Sequence, residues 1–379
     1  MTDPSPSKAT RQGFSMNELQ VAKNTITQCR VIKSQIDIDS TLASGEILLK
    51  VDKFGFSANN VTYAAAGDQL GYWQFFPAAD NASGSWGIIP VWGFADVVAS
   101  YAEGVEAGER IFGYFPTSDY LKMQNVRVLN SRLIDGAEHR SKLPPGYNTY
   151  RRVETEAGYD RSMDNSRMLL WPLYITSFCL WDSLQHNDWH GAQQVLVISA
   201  SSKTSIGLAY ALAADADAPA SVGLTSKKNQ QWVKSLGLYD NIVNYDALED
   251  IDASLHSVIV DMSGNSKLLA DIHAHLGDNL LHCLNVGLTH WSASGSDTGI
   301  PDQKREFFFA PSHIQMRLKE WGAEEFDKKS SQFIYDSAKK SADWMAIEKL
   351  DGVAELAEIY TDVCEGKLTP ERALVIELS

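Results

Sequence analysis

The residues best suited to chemistry fall in one short turn. Val195 to Ile198 reads as a strand, the segment SASSKTSIG (199–207) follows it, and an apolar helix comes next. A turn entering a helix presents unpaired backbone N–H groups at the positive end of the helix dipole, which suits a phosphate. Ser201, Ser202, Thr204 and Ser205 add hydroxyls there, Lys203 adds a cation, and Ile206 leads into the helix. The glycines that normally let a backbone approach a pyrophosphate are reduced to Gly207. A P-loop would need two more glycines around Lys203 and Thr204, and both are absent. A plain capped loop is the competing reading of the same residues. The second clue is the end of the next expected strand, GLTSKKN (223–229). An NAD-selective site usually carries a carboxylate at that place, on the ribose 2′-hydroxyl. Thr225, Ser226, Lys227 and Lys228 stand there instead, which favours a 2′-phosphate and hence NADP over NAD.

These residues need a frame. From residue 193 onward, short β-branched runs alternate with helical ones: QVLVISA, SIGLAYALAA, SVGLTS, KNQQWVKSLG, NIVNY and SVIVDMSG. A helix over about 265–275 and the strand NLLHCLNVG continue the series. Such a series calls for a parallel sheet with right-handed crossovers. The earlier part differs. GEILLKVDKF (45–54) alternates apolar and polar residues, IIPVWGFADVVAS (88–100) is an apolar run, and Gly104 and Gly108 bracket a turn before a strand at Arg110 to Phe115. That pattern predicts a barrel-like β domain. Residues 117–165 show no sustained period and read as a surface loop, with a substrate-covering lid as second choice. Helices are expected around 311–320 and 331–349, and a strand at the C-terminus. The fold class is therefore α/β. The expected domains are a disordered tail over 1–18, a β domain over 19–170 and 325–379 (117–165 inserted), and a Rossmann nucleotide-binding domain over 171–324.

Composition narrows the function classes. The 379 residues hold 33 Lys and Arg against 48 Asp and Glu, a net charge of -15 that repels nucleic-acid backbones. Cys29, Cys179, Cys283 and Cys364 form no CxxC pair, which fits a reducing interior. With no apolar run of membrane-spanning length, the expectation is a cytoplasmic protein with no membrane segment. His273 and His275, two apart on a helix, do not share a face and argue against a metal. Asp261, ending a strand, reads equally as a buried structural acid or as a cleft residue.

Taken in order, GEILLKV, GFSANNVTY and ADVVASYAEGVEAGERIFGYF resemble the catalytic domain of the medium-chain dehydrogenase/reductases, where a GroES-like β domain precedes a Rossmann domain. LLWPLYITSFCLWDSL resembles that family's linking helix, GAQQVLVISASSKTSIGLA its glycine turn, and VKSLGLYDNIVNYD the segment that follows. The resemblance is best to the zinc-independent quinone and enoyl reductases, and more narrowly to a branch described mainly as a domain of unknown function. FGFSANNVTY has neither Cys nor His, and no Cys cluster occurs elsewhere, so tetrahedral zinc lacks its ligands.

The resemblance implies an NADP(H)-dependent reductase, a homodimer, with a small carbonyl substrate: a conjugated ketone, a quinone or an enoyl thioester. It implies cofactor contacts at Tyr245 and at Asn285, Val286 and Gly287. It places Asn59, Asn60, Tyr63 and Tyr72 along the substrate site, with Tyr63 or Tyr72 as proton donor and Asn60 as a further oxyanion donor. A phenol can hydrogen-bond a carbonyl and supply a proton to a developing enolate. Trp73, Trp92 and His290 are candidate pocket walls within a region dense in aromatic residues, most of which, like Tyr63 and Tyr72 themselves, read equally as packed core. Two other functions stay open on the same fold: a non-redox lyase or retro-aldolase, and an NADP(H)-binding protein without turnover.

Overall fold

The computed structural model describes residues 13–37, 42–286 and 299–378. The chain forms two compact units. One holds Met1–Ser162, Lys349–Lys367 and Leu374–Ser379; the other holds Met163–Glu348 and Leu368–Ala373. Gly287 and His290 lie outside the described residues.

The first unit is built on antiparallel strands. β1 (Gly13–Ala22) and β2 (Cys29–Asp37) form a hairpin, and β4 (Trp86–Gly87) joins it. The tail expected over 1–18 is thus cut short, since the chain is a strand from Gly13 onward. β3 (Ile47–Phe56) is followed by helix α1 (Ala58–Ala65), and β5 (Pro90–Ser100) pairs with β6 (Arg110–Pro116) across the expected glycine turn. Ile47, Leu49 and Val51 are fully buried, as the alternation of β3 requires.

The segment expected to wander over the surface instead adds strands. β7 (Tyr120–Met123) pairs with β3, while β8 (Arg127–Val128), β9 (Arg132–Ile134) and β10 (Thr149–Arg152) extend the sheet beyond β6. Each is too short for a period of two to be read from sequence. They are pinned by tertiary contacts: Arg140 pairs with Asp135 in the interior, and Tyr150 donates from its hydroxyl to the Tyr114 carbonyl at 2.6 Å. Gly113 on β6 permits this, because a Cβ there would stand 2.2 Å from the Tyr150 ring. From the C-terminal part of the chain, β17 (Ala346–Asp351) and β18 (Arg372–Glu377) complete the sheet in the order β17-β18-β3-β5-β6-β10-β9-β8.

The second unit opens with α2 (Asp164–His186) and then alternates: β11 (Gln194–Ile198), α3 (Lys203–Ala214), β12 (Ala220–Thr225), α4 (Lys227–Leu236), β13 (Asn241–Asn244), β14 (Ser257–Asp261), α5 (Ser266–Leu276), β15 (Leu280–Val286) and β16 (Arg305–Phe308). All neighbours are parallel and the order is β13-β12-β11-β14-β15-β16, the 3-2-1-4-5-6 arrangement of a doubly wound nucleotide-binding sheet. Gly237 closes α4 with φ 64, the left-handed cap its position suggests. α6 (Ala310–Trp321) matches expectation, whereas α7 spans Ala323–Ser341 and stops before β17. The helix expected over 331–349 therefore starts and ends earlier and belongs to the second unit, not to the β domain placed from 325. A final helix, α8 (Gly352–Cys364), lies in the first unit. Among the described residues, no helix is long and apolar enough to cross a membrane.

Candidate functional site

The turn between β11 and α3 is shaped by its hydroxyl residues. Ser199 has φ 66, a conformation that ordinarily favours glycine, and its N–H donates to the Tyr245 phenol oxygen at 3.2 Å. Ser202 is the N-cap of α3: its Oγ accepts from the Ser205 N–H at 3.2 Å and donates to the Ser205 hydroxyl at 2.8 Å. Ile206 N–H closes the first helical bond on the Ser202 carbonyl at 2.9 Å. The N–H groups of Lys203 and Thr204 have no partner among the described residues, so they are the donors left for an anion.

Three expectations about this turn change. Ser205 and Ile206 are fully buried, so their side chains build the interior and do not face a ligand. Lys203, expected to meet a phosphate, turns away. Its ammonium donates to the carbonyls of Pro370 at 2.9 Å and Arg372 at 2.8 Å. Burial lowers its pKa from 10.5 to about 8, against the opposing pull of the Glu371 carboxylate. Gly207 serves packing: a Cβ there would stand 2.5 Å from Ser177 Oγ and 2.6 Å from Tyr174 Cδ1 on α2.

The neighbouring strand ends bring the other expected residues to the same edge of the sheet. Ser201 accepts at Oγ from Asn229 of α4 at 3.1 Å, which ties the turn to the next helix. Thr225 is buried, and its carbonyl accepts from Tyr245 N–H at 3.0 Å. Ser226 is the N-cap of α4, and Lys227 and Lys228 are exposed in its first turn. Asn285, buried at the end of β15, donates to Asp261 Oδ2 at 3.3 Å, and Val286 beside it is half-buried. Asp261 is a satisfied interior acid: it also accepts from Ser263 N–H at 2.8 Å and Ser263 Oγ at 2.7 Å, while burial raises its pKa.

In the first unit, the sequence candidates separate into structural and chemical groups. Asn60 caps α1 with Ser57, accepting the Ser57 N–H at 2.9 Å and donating to the Pro90 carbonyl at 3.1 Å. Its buried amide is thus anchored at both ends, which makes it a positioning group, with one Nδ2–H not used in these bonds. Trp73 lies against Gly67 and Gly87, where a Cβ would stand 2.0 Å and 2.3 Å from its ring. It is a packed core residue, not a pocket wall.

Tyr63, Tyr72 and Trp92 do converge. The Tyr63 and Tyr72 rings meet at a tilt of 34° with centroids 4.6 Å apart, and Trp92 lies 5.2 Å from Tyr114. The half-buried Asn59 and the buried Trp92 stand beside the Tyr63 phenol. Tyr72 Oη is 3.2 Å from Tyr147 Oη. Burial raises the pKa of each phenol, Tyr63, Tyr72, Tyr114 and Tyr147, so all stay protonated at neutral pH. Tyr114 and Tyr147 were not anticipated. Tyr114 was within reach of sequence reasoning, because pairing β5 with β6 sets it opposite Trp92. Tyr147 sits in LPPGYN, and nothing in that segment announces its partners.

An antiparallel β unit and a doubly wound parallel-sheet unit in one chain make up the medium-chain dehydrogenase/reductase fold. Among solved structures, CurA from Vibrio vulnificus, in complex with NADPH, superposes with TM-score 0.58 at 14% identity, over 96% of this chain and 99% of that one. A mutant form of the enoyl thioester reductase from Candida tropicalis gives TM-score 0.52 at 12% identity, over 96% and 100%. S. aureus TarJ in complex with NADPH gives 0.54 at 12%, over 97% and 100%. Within that fold, the chain belongs to the family described as "Protein of unknown function (DUF2855)", whose profile matches residues 54–369. No curated protein matches the sequence.

Proposed function

We propose that the protein is an NADP(H)-dependent oxidoreductase that reduces a conjugated ketone, quinone or enoyl thioester by hydride transfer, without zinc. The observation that carries this is the turn after β11, where the Lys203 and Thr204 N–H groups remain unpaired at the start of a twelve-residue helix. The residues present fit a dinucleotide. Those N–H groups and the Ser201 and Thr204 hydroxyls would hold its pyrophosphate, and Ser226, Lys227 and Lys228 would meet a 2′-phosphate, with no acid in GLTSKK to repel it. Asn285 and Val286 end β15, and Tyr245, after β13, reaches the Ser199 N–H in the turn; these would meet the rest of the cofactor. Two structures of the same fold, CurA and TarJ, carry NADPH.

Bound nicotinamide would supply the hydride, the part of the reaction no side chain can perform. What the chain adds is a protonated phenol. Tyr63, held protonated by burial beside Asn59 and Trp92, would donate its proton to a substrate oxygen. Tyr72 is the second candidate, its hydroxyl shared with Tyr147.

The test is NADPH oxidation, followed in absorbance, across enones, quinones and enoyl thioesters. Turnover of any of these supports the reading. Binding of NADPH without oxidation across the panel would identify a cofactor-binding protein, and carbonyl chemistry without nicotinamide a lyase.

A further inference from the structure

Tyr147 is surrounded as a ligand would be. Its ring lies 4.6 Å from Tyr114 at an interplanar angle of 34°, a near-stacked face. Phe75 meets it at 5.3 Å and 74°, Tyr72 at 6.0 Å and 74°, and Trp92 at 6.1 Å and 47°. Its one oxygen is held by the Tyr72 hydroxyl at 3.2 Å. A stacking face, edges from two rings and a phenol on the oxygen are what recognition of a six-membered ring with one oxygen substituent requires.

The same residue is the least secured of the group. Tyr63, Tyr72, Phe75, Trp92 and Tyr114 are buried, whereas Tyr147 is only half-buried, its phenol end enclosed. It rides a short turn whose Pro145 and Gly146 are exposed, and its own N–H reaches only the Pro144 carbonyl at 3.2 Å. A Cβ on Gly146 would meet nothing within 4 Å, so the tip is not wedged. The chain is fastened again immediately afterwards, by Asn148 Nδ2 on the Arg140 carbonyl at 3.0 Å and by Tyr150. Beneath the ring, the wholly buried Tyr114 hydroxyl has no hydrogen-bond partner among the described residues. An unmet buried hydroxyl is destabilising, and a second oxygen on an incoming ring would give it a partner.

We infer that Tyr147 occupies the seat of a monocyclic phenol or quinone, and that such a ligand binds by displacing the Tyr147 side chain and taking over its hydrogen bond to Tyr72. This rests on reading the tyrosine cluster as the substrate site, and it narrows the substrate to a ring-bearing carbonyl. The apparent affinity of the native protein is then reduced by self-occupation, and removing the competing ring recovers it.

The test uses the full chain without nucleotide and methylhydroquinone as probe. With 3-fluorotyrosine incorporated, the Tyr147 fluorine resonance (assigned with Tyr147→Phe) should move and narrow on titration as the ring is released to solvent. Affinity should rise at least tenfold in Tyr147→Ala and fall when Tyr72→Phe is added. Tyr147→Phe, which keeps the ring and loses the hydrogen bond, should show a smaller gain and guards against a folding defect in the alanine variant. No binding to the native protein at millimolar probe overturns the inference, as does binding that leaves the Tyr147 resonance in place or an unchanged affinity in both variants. Because nucleotide is absent, a failure of NADPH to bind would sink the reductase reading separately.

Discussion

Replacing Lys203 with Met separates two roles for this residue: phosphate ligand, as its sequence position suggests, or internal strap, as its geometry indicates. The ammonium is buried against the Pro370 and Arg372 carbonyls and titrates at about 8, against 10.5 for an ordinary lysine. The folded pKa is the lower one, so between these values the unfolded chain holds a proton that the folded chain has released. Stability must then rise with pH across that window. The contribution is full above 10.5 and is lost as pH falls through about 8, and its size from that difference is about 3 kcal/mol. Buried tyrosines with raised pKa act in the opposite sense at high pH, so the quantity to follow is the difference between native and Lys203→Met proteins. Urea unfolding at intervals from pH 7 to pH 10.5 should show native stability gaining on the variant by about 3 kcal/mol. NADPH affinity at pH 7 should be little changed in the variant. A flat difference across the window, or a large loss of NADPH affinity with stability unaltered, would refute the strap and restore the phosphate role.

Three further outcomes follow from particular contacts. Gly207→Ala places a methyl against Ser177 and the buried Tyr174 ring; overpacking of about 1–3 kcal/mol, less about 1 kcal/mol of helix propensity, leaves a net loss of about 0–2 kcal/mol in urea unfolding, and a stabilised variant would show that α2 and α3 yield easily. Asp188, Trp189 and His190 all have positive φ (49, 54 and 55) ahead of Gly191, and the Asp188 side chain is exposed; Asp188→Gly should therefore raise stability by about 0.5–1 kcal/mol, visible as a higher Tm, and a lowered Tm would contradict the strain. Tyr63→Phe should reduce turnover about a hundredfold or more with NADPH binding retained, and unchanged turnover would pass the donor role to Tyr72.

The nucleotide-binding sheet was open to reading because its signals are local. Val195, Leu196, Val197 and Ile198 are all fully buried, so β11 is written as an unbroken apolar run, and Ser202 and Gly237 mark helix ends within a few residues of what they cap. What escaped depends on distant partners. Lys203 was misread because its acceptors stand 167 and 169 positions away, and the identity of a cation says nothing of which carbonyls will bury it. Trp73 and Trp92 are alike in sequence, yet one wedges between two glycines and the other joins the tyrosines. Asn60 completes a capping box with Ser57, but Asn stands where the motif usually has Glu or Gln, so the spacing alone carries little signal. The strands of 127–152 follow from tertiary pairing alone: two to four residues carry too little pattern to show a period.

The central claim is that the turn after β11 and the end of β12 hold a phosphorylated dinucleotide. Isothermal titration of the pure protein with NADPH and with NADH tests it most directly. The account predicts saturable binding of NADPH, one per chain, at least tenfold tighter than NADH, with the difference lost in a Lys227→Ala, Lys228→Ala double variant. Absence of binding by either nucleotide, or tighter binding of NADH, would contradict it.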